Sequence, residues 1–137
     1  MNKKILIIED DPDVRLGYHI RLKANNYDTF FAADGLASMT EARKHEPDLI
    51  ILDLGLPAGD GFAVMERLKA STHLAVIPII VVSARDPREN GDRALKAGAK
   101  AYLQKPVDND ELLAVIRRLL GEPARAKKTT VYDLGSV

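Results

Sequence analysis

The sequence contains no cysteine and no tryptophan among its 137 residues. Without cysteine the chain can form neither disulfide bonds nor thiolate metal sites. Its 20 basic residues are balanced by 20 acidic residues, and a net charge of zero argues against broad electrostatic capture of nucleic acid or an anionic membrane. Long hydrophobic runs are also missing. The longest, Leu74–Val82, contains Pro78 and is far shorter than the roughly 20 residues of a membrane-spanning helix.

The start of the chain does not have the pattern of a signal peptide, because the apolar run Ile5–Ile8 is short and ends in acidic residues. We therefore expect a cytoplasmic protein that neither inserts into membranes nor binds nucleic acid directly. Apolar residues make up 46% of the sequence, and a chain of this length buries roughly two-thirds of its unfolded surface. This predicts one domain over residues 1–121. The composition changes after Gly121, so residues 122–137 are predicted to be a C-terminal tail or linker of a stand-alone protein or of a longer one.

Short continuous apolar segments predict a buried parallel sheet. They are rich in isoleucine and valine, and strands that are apolar on both sides suit a sheet covered by helices on both faces. The predicted strands are Ile5–Ile8, Leu49–Leu52, Ile77–Val82 and Ala101–Leu103, with the less apolar Asp28–Ala32 at an edge.

Segments with helical periodicity separate these strands. Asp11 and Asp108 are predicted N-caps of the first and last helices, and Pro12 suits the first helical position. Further helices are predicted over Leu36–His45, over Phe62–Ala70 and before Gly98. Right-handed crossovers place such a (βα)5 chain in a doubly wound α/β fold, a five-stranded parallel sheet in the flavodoxin-like order 2-1-3-4-5.

Polar side chains follow the carboxyl ends of four strands, which is where ligands bind in this class of fold. Glu9 and Asp10 follow the first strand, the third strand ends in Asp53, the fourth ends in Ser83, and Lys105 follows the fifth. Each residue alone has an ordinary explanation, since acids near a helix N-terminus favour its dipole and a lone lysine is usually a solvated surface charge. Taken together, they predict one site at this edge of the sheet.

The acids of this site predict a divalent cation. Asp53 ends an apolar strand and should be partly desolvated, and the repulsion between neighbouring carboxylates destabilises the fold unless a cation lies between them. Mg²⁺ prefers oxygen ligands, needs few protein carboxylates and readily accepts a phosphate oxygen. The sequence therefore indicates Mg²⁺ and phosphoryl chemistry.

Several segments together resemble the receiver domain of two-component response regulators, and the resemblance covers residues 3–120. They are Ile5–Asp11, Asp53–Pro57, Asp60-Gly61, Ser83-Ala84, Gly98-Ala99 and Tyr102–Pro106. The resemblance implies that Asp53 accepts a phosphoryl group, in a Mg²⁺-dependent reaction, from a sensor histidine kinase or a phosphotransfer protein. It implies a signalling domain of a phosphorelay rather than an enzyme with a separate substrate.

The resemblance also assigns roles around Asp53. Glu9 and Asp10 look like the metal-binding acids, and the backbone carbonyl of Gly55 resembles the third protein contact to Mg²⁺. Lys105 is similar to the basic residue that pairs with the phosphoryl group.

Other implied roles concern signal output. Ser83 is similar to the hydroxyl that binds a phosphoryl oxygen, and Tyr102 to an aromatic switch that turns inward. The turn reshapes the face of the fourth helix, fifth strand and fifth helix, which implies a downstream effector protein as partner. Pro106 resembles a proline preceded by a cis peptide bond. Lys100-Ala101 replaces the acid pair that many DNA-binding relatives use in a symmetric dimer, so we expect a monomer or weak dimer.

Three other interpretations stay open. Asp11-Pro12-Asp13 superficially resembles the DxD motif of haloacid-dehalogenase-type phosphatases, although Arg15 stands where those enzymes have a small residue. A flavin-binding protein of the same fold needs a phosphate-cradling loop, which acids at the first turn oppose. A pure interaction module never carries phosphate, and incubation with acetyl phosphate separates it from a receiver.

Overall fold

The structure, a computed structural model, describes residues 2–56 and 60–123. Strands and helices alternate along the chain. The strands are β1 (Lys4–Ile8), β2 (Asp28–Ala32), β3 (Leu49–Leu52), β4 (Ile79–Ser83) and β5 (Ala101–Gln104). The helices are α1 (Pro12–Ala24), α2 (Gly35–His45), α3 (Gly61–Ala70), α4 (Pro87–Lys96) and α5 (Asn109–Leu119). Residues 124–137 of the predicted tail lie outside the described residues, so the boundary at residue 121 stays a prediction.

All five strands are parallel and lie in the order β2-β1-β3-β4-β5. This confirms the predicted fold class and the edge position of β2. The carboxyl ends of β1, β2 and β3 are in register, because Ile8 pairs with both Ala32 and Leu52. Leu52 pairs with Val81, so β4 continues past the end of β3 to Ser83, which pairs with the last residue of β5, Gln104. The chain divides into two compact units after Val107. The first unit contains the whole sheet with α1 to α4, and the second contains α5.

The central strands are buried on both faces. Every side chain of Ile5–Ile8 and Leu49–Leu52 is at most 2% exposed. On one face, Leu6 and Ile50 belong to a core cluster that includes Leu68 of α3. Close packing of this kind resists displacement, so the sheet is a rigid support for the residues that follow its strands.

The predicted start of the fourth strand was wrong. The apolar run Ile77–Val82 was expected to form a strand that ends in Ser83, but β4 runs from Ile79 to Ser83. The Ile77 amide instead donates to the Leu74 carbonyl in the preceding turn (3.1 Å), and Pro78 has no amide hydrogen for the sheet. Ser83 ends the strand, as expected, and is only 1% exposed.

Aspartate caps the N-terminus of each described helix. The predictions for α1 and α5 are confirmed, since Asp11 accepts hydrogen bonds from the first-turn amides of α1 and Asp108 from those of α5. Sequence reasoning missed the other three caps, which are Asp34, Asp60 and Asp86. An N-cap side chain satisfies amides that have no partner within the helix. None of the described helices is long and apolar enough to cross a membrane.

Tyr18 of α1 gives a prediction for alkaline pH. It is 8% exposed, and burial raises its pKa from 10.0 to about 12. Its contribution to stability is therefore complete below pH 10 and is lost as the pH rises through 12. Over that range we expect wild type to lose about 2–3 kcal/mol more stability than Tyr18→Phe, measured by urea unfolding. Equal losses in the two proteins would contradict the assignment.

Candidate functional site

Backbone hydrogen bonds continue beyond the strand ends and place the site residues at one edge of the sheet. The Asp53 amide donates to the Ile8 carbonyl (3.0 Å), and the Glu9 amide donates to the Ala32 carbonyl (3.0 Å). The Lys105 amide donates to the Ser83 carbonyl (2.8 Å). Each of these donors lies one residue after its strand, so the sheet itself fixes the backbone of the site.

Three carboxylates meet at this edge. Glu9, Asp10 and Asp53 each offer an oxygen, and the three oxygens lie within 4.8 Å of one another. Glu9 is 2% exposed, the Asp53 side chain is 12% exposed, and Asp10 faces solvent. The donor set is entirely oxygen and open on one side, which fits a hard cation such as Mg²⁺ that keeps several waters.

Lys105 binds two of these acids. Its Nζ donates to Glu9 Oε1 (2.6 Å) and to Asp53 Oδ2 (3.1 Å). Burial alone would lower the pKa of Lys105, but its hydrogen bonds to the two carboxylates keep that pKa above its usual value. Burial raises the pKa of Glu9 even though Lys105 donates to it. The ammonium group therefore offsets part of the repulsion among the acids.

The second oxygen of Asp53 also has a donor. The Gly55 amide donates to Asp53 Oδ1 (3.1 Å). Behind Asp53, α3 begins at Gly61, where an added Cβ would lie 2.7 Å from both the Asp53 carbonyl oxygen and Leu54 Cα. Only glycine allows this approach without movement of the backbone. The start of α3 thus packs directly against the backbone of Asp53 and Leu54.

Ser83 and Tyr102 both contact the backbone of Arg85, in the connection between β4 and α4. Ser83 Oγ accepts a hydrogen bond from the Arg85 amide (3.2 Å), and the Tyr102 hydroxyl donates to the Arg85 carbonyl (2.8 Å). The Tyr102 ring packs against the core cluster, so it points inward here. Burial raises the pKa of Tyr102. Ser83 and Tyr102 thus share the backbone of Arg85 as a hydrogen-bond partner.

Two further predictions concern the peptide bond before Pro106 and the side chain of Asp11. The Lys105–Pro106 peptide bond is cis. The Asp11 carboxylate, which the phosphatase interpretation needs as a nucleophile, accepts from the amides of Asp13 (2.9 Å) and Val14 (3.4 Å). It serves as a helix cap.

Two arginines near the site make contacts that the sequence did not predict. Arg85 forms an ion pair with Asp60 (3.5 Å), and Arg15 donates to backbone carbonyls of the acidic loop. The position of Arg15 held a usable signal. It lies four residues after the cap Asp11, and side chains on a helix lean toward its N-terminus, which is the end that faces the loop.

Comparison with known proteins finds one recurring domain. The profile described as the response regulator receiver domain matches residues 5–117. The chain is 38% identical over 136 residues to the DNA-binding dual master transcriptional regulator RpaA of Synechocystis, covering 96% of this chain and 56% of that protein. It is 32% identical over 122 residues to the polar-differentiation response regulator DivK of Brucella ovis, covering 89% of this chain and 99% of that protein.

A solved structure adds a bound ion. The receiver domain of the sensor histidine kinase PA1611 from Pseudomonas aeruginosa, with a magnesium ion coordinated in its active site cleft, is 28% identical. It matches with a TM-score of 0.81 over 89% of this chain and 100% of that one. The chain thus spans nearly all of DivK but only a little over half of RpaA.

Proposed function

The chain belongs to the response regulator receiver domain family, whose members act in two-component signalling, and from that premise we propose that Asp53 is its phosphoacceptor. One observation carries the proposal. Lys105 bridges Glu9 and Asp53 within a cluster of three acids at the carboxyl edge of the sheet. Buried like charges around one lysine destabilise the metal-free fold, so their presence calls for a functional reason.

Mg²⁺ would be held by the carboxylates of Glu9, Asp10 and Asp53 and by the Gly55 carbonyl. A phosphoryl group on Asp53 carries about −2, the other two acids add −2, and Lys105 supplies +1, which leaves about −3. One like-charge pair at about 4 Å costs up to about 4 kcal/mol at an effective dielectric near 20. The cation would neutralise most of this charge, so we expect the phosphorylated state to require it.

The transfer itself asks for positioning rather than covalent help from the protein. A carboxylate oxygen of Asp53 attacks the phosphorus of a phosphohistidine on a partner kinase or phosphotransfer protein. The new oxygen–phosphorus bond forms as the nitrogen–phosphorus bond breaks, and that electron pair returns to the imidazole nitrogen. Lys105 orients the Asp53 side chain and balances negative charge on the transferred phosphoryl group.

The output of the site would run through Ser83. Its hydroxyl would donate to a phosphoryl oxygen, which alters its contact with the Arg85 amide and so the Arg85 carbonyl that Tyr102 binds. We expect phosphorylation to favour the inward Tyr102 seen here. The surface of α4 and β5 would then present a changed shape to an effector protein, with a coupling of about 1–3 kcal/mol.

Further proposals follow from the same assignment. The receiver domain would occupy residues 1–121, followed by a tail or linker over residues 122–137. A histidine kinase as phosphodonor implies a cytoplasmic location. As Lys100-Ala101 carries no acid pair, we expect a monomer or weak dimer.

Incubation with acetyl phosphate tests the proposal. With Mg²⁺ present, intact-protein mass spectrometry should show one added phosphoryl group, and chelation of the metal should prevent it. Protein that gains no mass would support a pure interaction module. A phosphoryl group gained after chelation of the metal would show that phosphorylation does not require Mg²⁺. Turnover of phosphate esters that survives Asp53→Asn but is lost in Asp11→Asn would support a phosphatase instead.

A further inference from the structure

Arg15 reaches from α1 back to the loop that carries two of the acids. Its Nη1 donates to the carbonyl of Glu9 (2.8 Å) and to the carbonyl of Asp10 (3.1 Å). Both acceptors are backbone oxygens rather than carboxylates. The contact therefore fixes the path of the loop and leaves the acidic side chains available to a ligand.

The guanidinium group starts from a fixed position. The Arg15 amide donates to the Asp11 carbonyl (3.0 Å), so Arg15 belongs to the first hydrogen-bonded turn of α1. Further along the helix, Tyr18 is 8% exposed and Leu22 is fully buried. These residues anchor α1, and Arg15 extends from an anchored helix.

The two acids differ in how much they need this contact. Glu9 is also held by its amide bond to Ala32 (3.0 Å) and by its carboxylate, which accepts from the Asp11 amide (3.2 Å) and from Lys105. In the part of the chain that the structure describes, the Asp10 carboxylate accepts no such bond, and Asp10 is exposed although one of its oxygens lies within 4.8 Å of the Glu9 and Asp53 oxygens. The direction of Asp10 therefore depends on its backbone, which Arg15 holds.

We propose that Arg15 is a positioning residue for the cation site, which clamps the backbone of Glu9 and Asp10 so that both carboxylates face Asp53. The inference rests on the proposed function of this acidic cluster and adds a residue from outside it. Arg15 would touch neither the cation nor the phosphoryl group.

The charge of Arg15, taken alone, predicts the opposite effect on Mg²⁺ binding, so one substitution distinguishes the two roles. A guanidinium near a cation site repels the cation. If charge decided, replacing Arg15 with neutral glutamine would strengthen Mg²⁺ binding. If position decides, the same substitution weakens binding, because Asp10 loses its fixed direction. Removing groups that orient metal ligands typically costs about 10-fold to 100-fold in affinity.

Isothermal titration calorimetry with Mg²⁺ at constant ionic strength separates the two effects. We expect the dissociation constant of Arg15→Gln to rise at least about 10-fold. Arg21→Gln is the matched control, because Arg21 is exposed in the last turn of the same helix and the charge change is identical. It should bind Mg²⁺ like wild type. In metal-free protein, the amide NMR signals of Glu9, Asp10 and Asp11 should shift in Arg15→Gln only.

The outcomes separate this inference from the proposed function. Wild type that binds no Mg²⁺ overturns the cation site and, with it, the role of Arg15. Wild type that binds Mg²⁺ beside an Arg15→Gln protein that binds equally well or better overturns the inference alone. If Arg15→Gln does not fold, Arg15→Lys decides. Lysine keeps the charge with a shorter reach, so weaker binding supports positioning and unchanged binding overturns it.

Discussion

Asp53→Asn is expected to reduce phosphoryl incorporation to background, a loss of at least about a thousandfold. The substitution preserves the size of the side chain. Its remaining carbonyl oxygen can still accept a hydrogen bond from the Gly55 amide, as Asp53 Oδ1 does at 3.1 Å. The new side-chain amide nitrogen would face either the Gly55 amide or the Lys105 ammonium. In wild type that ammonium lies 3.1 Å from Asp53 Oδ2. An amide nitrogen is neither an acceptor for these donors nor a nucleophile toward phosphorus.

The measurement is intact mass after treatment with acetyl phosphate and Mg²⁺. Asp28→Asn is the matched control, because it makes the same chemical change at an exposed ion pair with Lys23 (3.5 Å) on the edge strand. That variant should be phosphorylated like wild type. An Asp53→Asn protein that still gains one phosphoryl group would show that another residue is the acceptor, and peptide mapping would identify it.

Lys105→Met should destabilise metal-free protein by about 3 kcal/mol, the lower end for removing one partner of a buried ion pair. Lys105 is 25% exposed, whereas the Glu9 and Asp53 side chains that it joins are 3% and 12% exposed. Their charges would be left together without a cation. Mg²⁺ should restore most of the loss, because a ligand at a hundredfold excess over its dissociation constant stabilises by about 2.7 kcal/mol.

Urea unfolding with chelator and with Mg²⁺ gives both quantities. Lys69→Met is the matched control. The Lys69 ammonium is half-buried and donates to the Ala75 carbonyl (3.0 Å) rather than to an acid. Its loss should cost stability that Mg²⁺ does not restore beyond the effect seen in wild type. A Lys105→Met protein that is equally stable in chelator, or that Mg²⁺ does not rescue, would contradict the charge balance proposed for the site.

The fold was predictable because periodicity and residue type determine it. Strands buried on both faces must be continuously apolar, and β3 begins and ends where the run Leu49–Leu52 does. The site followed from the fold, since polar residues placed one position after parallel strands reach the same edge. The start of the fourth strand was misplaced because apolar content alone extended it back through Pro78, which cannot donate to the sheet.

The interactions that the sequence did not reveal use backbone atoms or loops. Arg15 binds two carbonyls, and every residue has a carbonyl, so residue type alone does not identify the acceptors, and only the position of Arg15 four residues after the cap Asp11 indicates that it lies near the loop. Arg85 is similar, because its importance lies in the amide and carbonyl that Ser83 and Tyr102 bind. The helix caps were predictable only in part. Asp34 and Asp86 are residues of the expected type, but their helices lacked clear periodic starts.

The use of main-chain atoms at Arg85 has a consequence for how such a protein can change over time. An amide and a carbonyl are present whatever the side chain, except that proline lacks the amide hydrogen. The link between the serine hydroxyl and the tyrosine ring can therefore persist through almost any substitution at position 85. Natural variation is free to change that side chain, which here pairs with Asp60, while leaving the hydrogen bonds of Ser83 and Tyr102 to this backbone intact.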